Sequence, residues 1–180
     1  TMSKTRPSSA TSFKDAFFER CPQARSLFEL FEYLPSAHFY SKDWQHRYVG
    51  VNRAVLTEVF GLESEEELLG RTDLDFQPPV LAEAYHAEDR RVMEGRATIP
   101  SEVWLVPHVR GTPKWYVSTK TPLFDPDDNV IGIAGVMYPI KTPSDRAAYF
   151  RELAPVIRHM ERCFSDNISM SDMASTAGLS

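Results

Sequence analysis

Cysteine, glycine, positive charge and long apolar runs are all scarce in this chain of 180 residues. Its two cysteines, Cys21 and Cys163, stand far apart and in no C-x-x-C or metal-ligand spacing, so neither a dithiol redox site nor a zinc site is expected. They read as unpaired thiols. With 8 glycines there is no phosphate-cradling loop, and G-x-S-x-G and H-E-x-x-H are missing too. The roles of nucleophile, base and oxyanion donor cannot be filled from what remains, and an enzyme is not expected. No apolar run approaches the roughly 20 residues of a membrane-spanning helix, and no signal-peptide pattern opens the chain, so a cytoplasmic protein without membrane partners is expected. The formal net charge of −5 excludes a polypeptide that grips a phosphate backbone through bulk charge. Internal repeats are absent.

What is present is a globular composition, 42% apolar, 12% aromatic and 25% charged, at a length suited to one ordinary domain with extensions. Residues 1–12 are polar and rich in Ser and Thr, and read as a disordered leader. Residues 13–34 read as two helices. Ser12 is a weak cap for the first, which runs to about Cys21. Pro22 begins the second, with Leu27, Phe28, Leu30, Phe31 and Leu34 at helical spacing.

From Ala37 the pattern changes to short strands, AHFYSKD and RYVGVN, around the polar turn DWQH. Small helices follow. RAVLTEVFGL is closed by Gly61, and SEEELLG carries a Ser64–Glu67 capping box. Pro78-Pro79 opens the longest helix, with Val80, Leu81, Ala84, Tyr85 and Val92 on its apolar face and Gly95 at its end. Three strands complete the region, SEVWLVPHV, TPKWYVSTKTPLF and VIGIAGVMYPI, joined by RGTP and DPDDN. The order implies an α+β fold, one antiparallel sheet with short helices over one face. Beyond Pro143 helical spacing returns, interrupted at Pro155, and Ser171 through Ala177 reads as a short capped helix before the turn Gly178-Leu179.

Two resemblances sharpen this reading. F-Y-S-K-D, V-N-R-A, L-L-G-R-T-D-x-D-F, D-R-R-V-M-E-G, W-Y-V-S-T-K-T-P-L and V-I-G-I-A-G-V-M occur in the order found in PAS domains, over about a hundred residues. The resemblance implies a PAS domain at 35–140, a five-stranded antiparallel sheet enclosing a small pocket, with signal sensing or dimerisation and no catalysis as its role. The tail, L-A-P-V-I-R-H-M and I-S-M-S-D-M-A-S-T-A-G-L-S, resembles the start of an AraC-type helix-turn-helix domain. That implies a linker helix at 141–154 and an incomplete AraC-type domain at 155–180 without the helix that would read base edges. DNA contact then belongs to a complete C-terminal domain and not to this fragment. The whole reads as the sensory module of a bacterial AraC-family transcription regulator, a homodimer responding to an unidentified small molecule. Two alternatives stand beside it: a ligand-free dimerisation module using Phe28, Leu30, Phe31 and Leu34, and the PAS domain of a sensor kinase.

A pocket in such a fold lies between the sheet and the small helices, lined by apolar groups and a few polar ones. The candidates are Tyr40, Asn52, Trp104, Trp115, Val117 and Thr119. Alternation puts Trp115, Val117 and Thr119 on one face and Tyr116 and Ser118 on the other, without fixing which faces inward. Asn52, Asp73 and Asp75 suit helix caps and Asp43 a hairpin turn. His86, on the long helix, matches the place of an axial histidine in haem-binding PAS proteins, whereas a flavin of the light-sensing type is unsupported because its asparagine-cysteine motif is absent from VNRAVLTEVFG. No cofactor is required. His38, His46, His108 and His159 share no metal spacing.

Overall fold

The computed structural model describes residues 9–34 and 36–140. The chain divides into two units, Thr1–Pro139 and Ile140–Ser180, and the account below concerns the first. The leader up to residue 8, the linker helix at 141–154 and the AraC-type segment at 155–180 lie outside the described residues.

Helix α1 (Ser9–Arg20) begins ahead of the expected Ser12 cap, and α2 (Pro22–Phe31) follows with proline in its first turn, where the missing N–H costs no hydrogen bond. Strands β1 (His38–Asp43) and β2 (Tyr48–Val51) form the first hairpin. Asp43 turns it as expected, its carboxylate accepting the backbone N–H groups of Gln45 and Arg47. A π-helical turn at Val55–Val59 and two 3-10 turns, Glu65–Glu67 and Asp73–Asp75, carry the chain to α3 (Pro79–Gly95). Ser64 and Glu67 form the expected capping box. The left-handed residue closing α3 is Arg96, one position beyond the expected Gly95.

Strands β3 (Ile99–Val106), β4 (Lys114–Phe124) and β5 (Val130–Pro139) complete an antiparallel sheet of order β2-β1-β5-β4-β3. This is the five-stranded α+β architecture that the strand pattern predicts.

Both faces of the sheet are covered, and that decides where the site lies. On one face, α3 and the short turns pack over a core containing Tyr40, Tyr48, Val55, Leu68, Val92 and Tyr116. On the other, α1 and α2 bury Phe17, Phe18 and Phe28 against Phe39, Val49 and Ile131, and Phe31 stacks on Phe39 with ring centroids 4.3 Å apart. The face of α3 toward the sheet is more polar than its apolar spacing suggests: Tyr85, His86, Glu88, Asp89 and Val92 are buried, while Val80 is 83% exposed.

A register shift between Ser41 and Lys42 against β2 puts Tyr48 and Val51, three residues apart, into the same inner core. A second irregularity in β3, with Ser101 at φ 59°, does the same for Ile99 and Trp104.

Candidate functional site

The inner face holds a small cavity of about 40 Å³, walled by aromatic rings including Tyr40, Tyr48, Phe60, Tyr85 and Trp104. Its polar lining is Lys42 from β1, Ser118 and Lys120 from β4, Asp73 and Gln77. Strand alternation delivers these groups together: Tyr40 and Lys42, like Ser118 and Lys120, are two apart and so point to one side.

Two lysines inside a domain require counter-charges, because an unpaired buried ammonium would lose its proton or unfold the site. Lys42 Nζ donates to Asp73 Oδ2 at 2.5 Å and to Asp89 Oδ2 at 3.1 Å. Lys120 Nζ donates to Asp89 Oδ1 at 2.5 Å and lies 2.6 Å from Glu88 Oε2. Asp89, fully buried, therefore joins both lysines through its two oxygens. The other oxygen of Asp73 accepts the Tyr48 hydroxyl at 2.7 Å, and His86 Nε2 lies 3.1 Å from Asp73 Oδ2.

The electrostatics follow from this geometry. Burial works to raise the Asp73 and Asp89 carboxyls, but the neighbouring ammonium groups outweigh it and hold both below the usual carboxylate range. Burial likewise works to lower Lys42 and Lys120, and their carboxylate partners carry both above the ordinary lysine value. Lys42, Lys120, Asp73 and Asp89 are thus ionised at neutral pH. Burial pushes the Tyr40, Tyr48 and Tyr85 hydroxyls up, so these walls stay neutral.

One polar atom on the cavity wall, the buried indole Nε1 of Trp104, has no hydrogen-bond partner among the described residues, while the Ser118 hydroxyl lies beside that of Tyr40. A buried donor left unpaired is costly, and a bound molecule that pairs with it gains correspondingly.

The structure brings only part of the expected candidate set together. Tyr40 and Trp104 line the cavity. Trp115, Val117 and Thr119 sit on the opposite face of β4, because the inward parity belongs to Tyr116, Ser118 and Lys120. Trp115 is 36% exposed, and Thr119 Oγ1 accepts the backbone N–H of Ser101 at 3.2 Å.

Asn52 is a structural bridge away from the cavity. Its Oδ1 accepts the backbone N–H groups of Phe39 and Val55, and its Nδ2 donates to the carbonyls of Ala37 and Phe31. Of the expected caps, Asp75 accepts the Thr72 N–H, while Asp73 belongs to the lysine cluster instead. His86 does not fit an axial haem ligand: its Nε2 is turned to Asp73 and its ring is stacked on His46 at 4.3 Å.

Lys42, Lys120, Glu88 and Asp89 were not legible as site residues, since charged side chains in a sequence default to the surface. The available signal was two lysines set within apolar stretches, FYSKD and WYVSTKTPL.

A family model described as "PAS fold" matches residues 31–144. The chain belongs to the PAS fold family. As a PAS domain it is a sensory module, with the expected fold around its cavity. No curated protein matches it.

Among solved structures it is similar to a phage VqmA–DPO complex, at 23% identity and a TM-score of 0.60 over 96% of this chain and 77% of that one. A VqmA dimer from Vibrio cholerae matches at 19% identity and TM-score 0.58 over 84% and 77%. The PAS domain of BvgS from Bordetella pertussis matches at 22% identity and TM-score 0.55 over 73% and 96%. Likeness at these identities is one of fold. Among the described residues no helix is long and apolar enough to cross a membrane.

Proposed function

We propose that this PAS domain is the cytoplasmic sensory module of an AraC-family transcription regulator, binding a small molecule in the inner cavity and passing the signal to a C-terminal DNA-binding domain. The observation that carries the ligand is the cavity itself, with the Trp104 N–H unpartnered among the described residues and facing it, beside an ionised lysine cluster. Tyr40 and Trp104 are its aromatic contacts. The AraC assignment rests on the tail motif I-S-M-S-D-M-A-S-T-A-G-L-S. That structures of VqmA include complexes with DPO and with DNA gives the sensory reading a parallel in the same fold.

For such a signal to exist, the ligand has to bind two conformations with unequal affinity. Native mass spectrometry of the purified chain, with and without organic extraction, tests the proposal. A co-purified molecule lost from Trp104→Phe and Ser118→Ala variants is the expected result. A metabolite-library thermal-shift screen in which no compound stabilises the wild type more than these variants would overturn it.

Homodimerisation is a second, compatible reading, favoured by the outer side of α2. Phe28 and Phe31 are spent on the domain's own sheet, but Leu30 and Leu34 remain exposed beside Tyr33, which is 83% exposed. A Tyr33→Asp variant that leaves the mass in solution at that of a dimer would remove this support.

A further inference from the structure

The sheet's second face contains another cavity, larger than the first. About 190 Å³ lies between the N-terminal helices and the strands, with almost wholly apolar walls. Folded interiors rarely leave such space unfilled.

Its origin is visible in the strand register. Ser41, Ala134 and Thr121 stand side by side across β1, β5 and β4, so three small side chains form one row. Gly50 is the neighbour of Ser41 on β2, and there the Phe28 ring sits so close that a Cβ would strike it. The row beside it, Phe39, Val136 and Thr119, is bulkier and forms one wall. Phe18, Phe28 and Phe31 form the roof. The floor is therefore low where the roof is fixed by larger residues on either side.

One group in this space points to a ligand. Ser41 is 1% exposed, lines the cavity, and its hydroxyl has no hydrogen-bond partner among the described residues. Thr121 is different, its hydroxyl lying 2.9 Å from that of Thr98. A buried hydroxyl without a partner is the exception in folded proteins and marks a place where a polar atom is missing. Apolar cavities of about 150 Å³ are known to stay dry and take up benzene, so size and lining both suit a single ring.

We infer that this second cavity is a binding site for a compact apolar molecule of about one aromatic ring bearing one hydroxyl or carbonyl, held by Ser41. It is separate from the inner cavity, on the other side of the same strands. An occupant here lies under α1 and α2 and bears on their seating.

The test is a methyl-detected NMR titration of the full chain with phenol and, as its counterpart lacking the hydroxyl, toluene. Both are expected to shift the Ala134, Thr121 and Val136 methyl signals saturably while leaving Val55, Val59 and Met137 of the inner cavity in place. Ser41→Ala should weaken phenol roughly three- to tenfold, the worth of one hydrogen bond, and leave toluene unchanged. Ala134→Leu, which fills the floor, should abolish both; if it does not fold, Ser41→Ala still decides, because it keeps the volume. Absence of saturable shifts on the outer face overturns the site, as does equal weakening of phenol and toluene by Ser41→Ala. Shifts confined to the inner-cavity methyls would overturn it while leaving the sensory reading intact.

Discussion

The hydroxyl of Tyr116 lies 3.0 Å from Nε2 of His108, and on its other side 3.4 Å from Nε2 of His38. Burial holds both imidazoles below their ordinary pKa, against the pull of Glu58 on His38 and with Lys114 adding to the effect on His108. Tyr116 itself is pushed up, so its hydroxyl stays protonated between two neutral rings.

A pH dependence follows, with a definite sign. The unfolded histidines take up protons near pH 6.5 and the folded ones only below that, so the stabilisation is complete above about pH 6.5 and is lost as pH falls. Asp73 and Asp89, also depressed, add a loss of the same sign below about pH 4. Urea unfolding at pH 7.5 and 5.5 should show a lower midpoint at the acid value, and a His38→Gln, His108→Gln double variant should show a smaller difference. Equal midpoints for the wild type would contradict the argument.

Removing Asp89 should be among the most damaging single changes. Asp89→Ala leaves Lys42 and Lys120 facing each other with one shared counter-charge gone, an expected loss of about 3–5 kcal/mol. Chemical denaturation measures it directly. A loss under about 1 kcal/mol would mean that the cluster is far better hydrated than its burial indicates.

Asn52→Ala removes a side-chain partner from four backbone groups, and leaves the Phe39 and Val55 N–H groups and the Ala37 carbonyl without it, while the Phe31 carbonyl keeps the Leu34 N–H. The expected cost is roughly 2–4 kcal/mol. Hydrogen exchange should locate it, with faster exchange at the Phe39 and Val55 amides than at β4. Uniform acceleration across the sheet would instead indicate general destabilisation.

Gly135 is required by Tyr40. A Cβ at this position would collide with Tyr40 Cζ and lie 2.5 Å from its hydroxyl oxygen, so Gly135→Ala should cost about 1–3 kcal/mol by overpacking. Adding Tyr40→Leu should recover part of that cost if the clash is the cause. A double variant no more stable than the additive sum of the two would point elsewhere.

The succession of strands along the chain, the Ser64–Glu67 box, the Asp43 turn and the extent of α3 were legible to within a residue or so. Local pattern determines those features, so local pattern reveals them. Which face of β4 points to the inner cavity was not legible. With α1 and α2 packed on the outer face, both parities of β4 meet apolar surroundings, and the signal of one polar side is gone. Trp115 and Val117 look more interior than Ser118 and Lys120, yet the reverse holds because Asp89 and Glu88 arrive from α3 to receive the lysine. Pairings of that kind are tertiary, and no spacing along the chain announces them. The register shift opposite Ser41/Lys42 likewise breaks simple alternation on β2, where Tyr48 and Val51 both face the inner core.

Because neighbouring residues of β1 serve opposite compartments, Phe39 and Ser41 on one side and Tyr40 and Lys42 on the other, this strand is a shared partition. Deleting a single residue within it would trade the tenants of the two rooms, sending an ammonium group among phenylalanines and a phenyl ring among carboxylates. Length within β1 is therefore under a constraint of its own, and variants of this protein should tolerate altered side chains in the strand far better than a changed residue count.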